Sequence, residues 1–409
     1  MKHIKQFLEQ VKKRFGNLAT HQQKNIICLL VIMAVGAFLG AYHWYNHRPS
    51  PATSHNMALS DSTAIESHSL VVGDIYWGRA MYDWSQKSSL KAAYPFSQLD
   101  SLHREQYDAW IGNLECPSVP GVKQQIGQQL QLWEFNCDSE FMPEASRWFD
   151  IFSIANNHSG NQQKEAGVTA TRKLLDQNNI QYFGDFTPHT TDDICEVVAM
   201  PARIRLDGKQ QQMSLPVAMC GFAGVYFTVT DKALAQMQAY SKVMPVIAMP
   251  HMGTEYESGI DANRQALYRK MIDNGADVVI GNHPHWVQPT EAYKGKLIVY
   301  SMGNFIFDQQ FSKEVTRSAA IDMTLTLDKN AVPYEQLKGW QLLGDSCKVY
   351  KDDCLRLANE WKLHKLPFKY SYDIVGVDTS DKITKKADMQ VYRQLLDRLQ
   401  WHSTKTQLQ

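Results

Sequence analysis

Short apolar runs, separated by longer amphipathic stretches, organise most of this 409-residue chain. Ser69–Asp74, Tyr107–Ile111, Trp148–Ala155, Val217–Cys220, Val246–Met249, Val278–Ile280 and Leu297–Ser301 each read as a brief buried strand. Between them, Lys164–Gln177 (Val168, Leu174, Leu175) and Asp261–Asn274 (Leu267, Met271) carry helical spacing. This alternation predicts an α/β domain. Ala319–Leu327 instead alternates strictly, with Ile321, Met323, Leu325 and Leu327 on one face, so mixed strand directions are expected. Tyr392, Leu395, Leu396 and Leu399 mark one face of a closing amphipathic helix.

One run is different in kind. Ile26–Tyr45 holds no Asp, Glu, Lys or Arg, and at about 1.5 Å per residue it matches a hydrocarbon core of about 30 Å. Lys2, Lys5, Lys12, Lys13, Arg14 and Lys24 precede it against Glu9 alone, which orients the N-terminus to the cytoplasm. Tyr42, Trp44 and Tyr45 suit the far headgroup layer. A cleaved signal peptide fits less well, because the run exceeds an h-region of roughly 7–15 residues and ends in a poor cleavage context. The expected organisation is a basic cytoplasmic segment (1–25), a transmembrane anchor (26–45) and a flexible tether (46–68). A main domain (69–328) and a C-terminal appendage (329–409) follow, the latter offering no chemistry.

Composition narrows the partners. With 42 basic and 42 acidic residues the chain has no net charge and no electrostatic footprint for nucleic acid. Seven cysteines include Cys28 in the anchor, leaving Cys116, Cys137, Cys195, Cys220, Cys347 and Cys354 on the side where disulfides persist. Cys347 and Cys354 are near enough to close a small loop, but six cysteines allow 15 connectivities.

The chemistry sits where the strands end: Gly73-Asp74, Asn113-Leu114-Glu115, Asn156-Asn157-His158, Pro250-His251 and Asn282-His283-Pro284-His285. In an open α/β sheet such ends converge on one crevice. Asp, Glu, Asn and three His compose an oxygen/nitrogen shell suited to Zn, Mn or Fe. Singly, each has a structural reading: a cap for Asp74, turn residues for the asparagines, a hydrogen-bonded core residue for His251. Their joint placement at one sheet edge favours a metal site.

In order, Gly73-Asp74 with Gly78-Arg79, Asn113-Leu114-Glu115-Cys-Pro, Ala155-Asn-Asn-His158, His251-Met-Gly-Thr-Glu255-Tyr256, His283-Pro-His285 with Gln288-Pro289, and Tyr300-Ser-Met-Gly-Asn304-Phe305 resemble the CapA-like poly-γ-glutamate capsule biosynthesis family over about Val71–Leu327. That family is similar to calcineurin-like metallophosphoesterases. The resemblance implies a four-layer sandwich of two mixed β-sheets flanked by helices, holding two divalent ions. By the same resemblance Asp74 and His285 hold the first metal, Asn157, His251 and His283 the second, and Glu115 bridges. His158 is then the general acid, while Arg79, Asn113, Glu255 and Asn304 contact substrate or support the ligands. Three positions depart from the pattern: Tyr76 replaces a metal-binding His, Asn161 an Asp, and Asn282 a common His.

Three functions stay open on these residues. One is a hydrolase on the outer side of a bacterial inner membrane, cutting a phosphoester or γ-glutamyl amide in an anionic polymer. Another is a non-catalytic polymer-binding subunit docked to the membrane subunits of a capsule synthase. The third is an unrelated extracytoplasmic metallophosphatase.

Overall fold

The longest of the early strands, β1 (Thr63–Ile75), joins the two halves of the architecture. The computed structural model describes residues 63–122, 133–187, 194–206, 208–328, 332–347 and 353–408. The expected anchor at 26–45 lies outside them; among the described residues no helix is long and apolar enough to cross a membrane.

Thirteen further strands follow β1. They are β2 (Ala109–Leu114), β3 (Ile151–Ser153), β4 (Gln181–Phe183), β5 (Cys195–Leu206), β6 (Lys209–Ala223), β7 (Val246–His251) and β8 (Val278–Ile280), then β9 (Thr290–Tyr293), β10 (Lys296–Val299), β11 (Asn304–Ile306), β12 (Arg317–Asp328), β13 (Lys369–Asp378) and β14 (Lys385–Lys386). The mixed α/β architecture is as expected, but its strands do not fall into two separate sheets. All fourteen described strands join one hydrogen-bonded network, because β1 is long enough, about 43 Å at 3.3 Å per residue, to serve both arms. One flank pairs with β12 and then β11; the other pairs with β5 at Ile65–Glu66 and then with β2 from Ser69 onward.

Side chains on the first arm alternate between two cores, as the period of a strand demands. Leu70, Val72, Trp110 and Phe152 enter one cluster, while Val71, Ile111 and Ile151 enter a second that also holds Val217, Val246, Ile247 and Val278 from the β5–β8 arm. The second core therefore lies between the arms, and the helices Asp231–Ser241 and Ala262–Asp273 pack against it through Met237, Tyr268 and Met271. Asp261 caps the latter helix, its carboxylate accepting from the Arg264 N–H.

Two boundaries differ from expectation. Thr63–His68, read as tether, is already strand: Ile65 is fully buried opposite Leu327, a partner that the local polarity of the segment does not reveal. The segment beyond 328 contributes β13, which pairs with β12 from Arg317 to Thr326, so it completes the sheet. The long β5–β6 hairpin also exceeds the short Val217–Cys220 run that announced it, since its outer end, Lys209–Gln212, is polar and exposed.

Candidate metal centre

Strand register brings the strand-end residues together before any side chain is considered. Asp74 lies opposite Asn113 on β2 and opposite Asn304 on β11, and His251 bridges to Asn282. Gly73 allows the approach: a Cβ there would stand 1.9 Å from the carbonyl oxygen of Gly303, which accepts from the Asp74 N–H at 3.1 Å.

Two groups of ligand type result, Asp74–Glu115–His285 and Glu115–His251–His283, each with its ligand atoms within 4.8 Å of one another and fully enclosed. Glu115 belongs to both. Asn157 joins the second group, its Oδ1 standing 2.8 Å from His251 Nε2. Around them stands a fixed frame of hydrogen bonds. Asn113 Nδ2 donates to Asp74 Oδ1 at 2.8 Å and faces His251 Nδ1 at 3.1 Å. Asn304 Oδ1 meets His285 Nδ1 at 2.8 Å, and the His283 N–H donates to Asp74 Oδ2 at 3.2 Å. Such supporting bonds fix ring orientation and ligand basicity.

The electrostatics are those of a crowded, buried cluster. Burial, then the charge of Asp74, pushes the Glu115 carboxyl well above its usual range. Burial also opposes ionisation of Asp74, but the hydrogen bond from His285 and the charges of His251 and His285 hold it low. Burial drives His251 down to about 4, and burial with the neighbouring His251 and His285 drives His283 well below its ordinary value. His285 goes the other way: Glu115 and Asp74 overcome its burial and raise it to about 9.

The donor set fits a metal. Both Glu115 carboxylate oxygens and His283 Nδ1 are buried without a hydrogen-bond partner. An enclosed carboxylate left so costs several kcal/mol unless a counter-charge is supplied (~1–3 kcal/mol even for a neutral group). Divalent cations accepting O and N ligands meet that need. The backbone agrees, for His283 (φ 99°) and His285 (φ 58°) both occupy left-handed conformations, which cost on the order of 1–3 kcal/mol each and persist where surroundings dictate them.

His158 stands beside this centre. Its Nδ1 is 2.7 Å from Asn161 Oδ1, which also accepts the Phe135 N–H at 2.9 Å, so the shared oxygen is an acceptor and Nδ1 carries the proton. Burial outweighs the Asn161 bond and lowers His158 to about 3. Asn156, a turn residue by sequence, buttresses the loop: its Oδ1 accepts from the N–H groups of His158 and Ser159, and its Nδ2 donates to Asn113 Oδ1 and the Leu114 carbonyl.

Arg79, which the resemblance offers for contact with substrate or support of the ligands, is packed into the wall of the site. It is 4% exposed, and Asp308 engages it twice, at 3.0 and 2.5 Å, while its guanidinium lies 4.5 Å from the Phe135 ring centroid. Glu255 is half-buried, and its charge acts on Glu115, His251 and His285. Tyr76, in place of a ligand, is buried and stacked on Phe135 at 4.4 Å. Phe135 and Asp308 went unseen in the sequence, since a lone Phe and an Asp in a loop carry no local signal.

The model of the bacterial capsule synthesis protein PGA_cap family matches residues 69–309. The chain belongs to this family. Among PGA_cap relatives, the PGA biosynthesis protein CapA of Bacillus subtilis (strain 168) is 24% identical over 325 residues, 74% of this chain and 78% of that protein. The capsule biosynthesis protein CapA of Bacillus anthracis is 40% identical over 273 residues, covering 61% of this chain and 62% of that one. Solved structures resembling this PGA_cap chain include a hypothetical protein from Thermus thermophilus, 16% identical, covering 64% of this chain and 94% of that one at a TM-score of 0.35. A 5'-nucleotidase precursor from the same organism is 12% identical and covers 83% and 59% at a TM-score of 0.31.

Proposed function

We propose that this chain is a membrane-anchored, metal-dependent hydrolase that acts on an anionic polymer, of poly-γ-glutamate type, during capsule synthesis. The observation that carries the reading is Glu115, a buried carboxylate without hydrogen-bond partners, shared between two groups of potential ligands. The names of its CapA relatives, a PGA and a capsule biosynthesis protein, supply the polymer.

In this reading Asp74, Glu115 and His285 hold one divalent ion, of Mn, Zn or Fe, and Glu115, His251, His283 and Asn157 hold another. When bound, the ions supply Lewis-acid polarisation and acidify water. The protein's own groups then orient and exclude. Asn113 and Asn304 fix Asp74, His251 and His285 in place. With its proton on Nδ1, His158 offers Nε2 as an acceptor, and it gives a proton to a leaving group only after an arriving anion raises its pKa. Three disulfides, Cys116–Cys137, Cys195–Cys220 and Cys347–Cys354, suit an oxidising compartment and support an extracytoplasmic domain held by the 26–45 anchor.

The test is hydrolysis by the purified full chain, loaded with Mn or Zn, on generic phosphoesters and on poly-γ-glutamate. Metal-dependent turnover is expected, lost in His283→Ala and reduced by roughly 10²–10⁴-fold in His158→Ala. No turnover on either substrate class overturns the hydrolase. A second reading, a subunit that binds the polymer uncut, is favoured by Tyr76, which packs on Phe135 where a ligand would stand. Metal-dependent retention of poly-γ-glutamate without cleavage would establish it.

A further inference from the structure

The loop Asn282–Gln288 presents two ligand-type histidines from left-handed backbone, so something must hold it. On its leading side the holders are Asp74, accepting the His283 N–H, and the Tyr256 N–H, which donates to the carbonyl of Pro284. On its trailing side Gln288 is held by Arg264 and by the carbonyls of Glu257, Gly259 and Ser301, and the C-terminal segment, beyond the matched residues 69–309, adds a further set. Arg398 Nε donates to the Val287 carbonyl at 2.7 Å, and its guanidinium lies 5.3 Å from the Trp286 ring centroid. Three residues past Val287, Thr290 donates its N–H and its hydroxyl to the Leu399 carbonyl, both at 2.8 Å, and its hydroxyl meets that of Thr404 at 2.8 Å.

The same segment seals the neighbouring loop. Thr384 donates to the Phe305 carbonyl, one residue past Asn304, which holds His285. Gln310 donates to the Thr379 carbonyl two residues past Asp308, the partner of Arg79. Arg398 reaches Val287 and Trp286, two residues and one past the ligand His285, and Thr384 reaches the residue after Asn304; none of these contacts reaches a ligand itself.

We propose that the C-terminal segment Lys369–Lys405 is the buttress of the metal centre, with Arg398 a positioning residue that sets the His283–His285 loop through Val287 and Trp286. The inference rests on the metal-centre reading for its consequence, though not for its geometry. Loss of such outer supports lowers metal affinity by about 10–100-fold in other centres. Arg398 serves both as donor and as cover for Trp286, so a lysine should restore charge and a donor but not the planar guanidinium over the ring.

The experiment uses the full chain and two readouts on wild type, Arg398→Ala, Arg398→Lys and Thr404→Val: Mn titration, and amide hydrogen exchange of peptides spanning 282–290 and 109–114. In Arg398→Ala, exchange should quicken in 282–290 alone and Mn affinity should fall about 10-fold or more. Arg398→Lys should fall between the two. Unchanged exchange in 282–290 overturns the buttress. If Arg398→Ala does not fold, the nearly isosteric Thr404→Val carries the same comparison through Thr290. Should wild type bind none of Mn, Zn and Fe(II), the metal-centre reading falls, while the exchange comparison still decides the buttress.

Discussion

Phe135 lies flat against His158, with ring centroids 3.7 Å apart and planes 9° apart. Its N–H also donates to the asparagine oxygen that meets His158, so one short segment covers the imidazole and fixes its partner. Neutral, oriented and buried, His158 awaits a proton from elsewhere.

Replacing Asn161 with aspartate puts a negative charge at His158 Nδ1. Asn161→Asp should raise the His158 pKa from about 3 by roughly 1–3 units, read from its ring proton shifts by NMR. An unmoved titration would mean that Asn161 does not govern this histidine.

Glu115 is buried with no hydrogen-bond partner, and the imidazole nitrogens of His251 and His285 stand 3.5 and 3.8 Å away. Glu115→Gln should therefore leave the metal-free protein as stable as wild type or about 1–3 kcal/mol more stable, while removing the rise in Tm that Mn or Zn gives. Thermal unfolding with and without metal checks both halves. A metal-induced rise that survives the substitution would exclude Glu115 as a shared ligand.

The histidines make metal-free stability fall on both sides of neutrality. His158 and His251, lowered to about 3 and 4, contribute stability that is complete above their unfolded pKa, about 6.5, and drains away as pH falls towards 4 and 3. His285, raised to about 9, contributes below about 6.5 and loses it as pH rises through 9. Metal must displace the His285 proton, and any proton on Glu115, so binding at pH 7 should release about one to two protons. Titration calorimetry in buffers of different ionisation enthalpy counts them.

Cys116 follows Glu115, and Cys137 lies two residues after Phe135, so their disulfide ties the shared carboxylate to the segment over His158. Replacing both with serine should cost about 3 kcal/mol and weaken metal binding as well. Removing Cys347–Cys354, which closes a span of 7 residues far from these groups in sequence, should lower Tm and leave metal affinity unchanged.

Much of the centre was legible in the chain because strand ends announce themselves locally. An apolar run followed by Asp74, by Asn113 and Glu115, by His251 or by His283 needs no knowledge of neighbours, and parallel strands deliver such ends to one edge. The helices at 164–177 and 261–274 and the alternating strand at 319–327 were legible for the same reason, periodicity being a property of sequence. What only the tertiary structure decided depends on partners far away in the chain. Asp308 claims Arg79 from 229 residues off, Leu327 buries Ile65, and Arg398 braces a loop 111 residues before it. Charge, stacking and register between distant segments leave no periodic trace, so the packing of Arg79 on Phe135 and Asp308 belongs to the fold alone. The strand-end ligands themselves were written in the sequence; how they are held together was written in the fold.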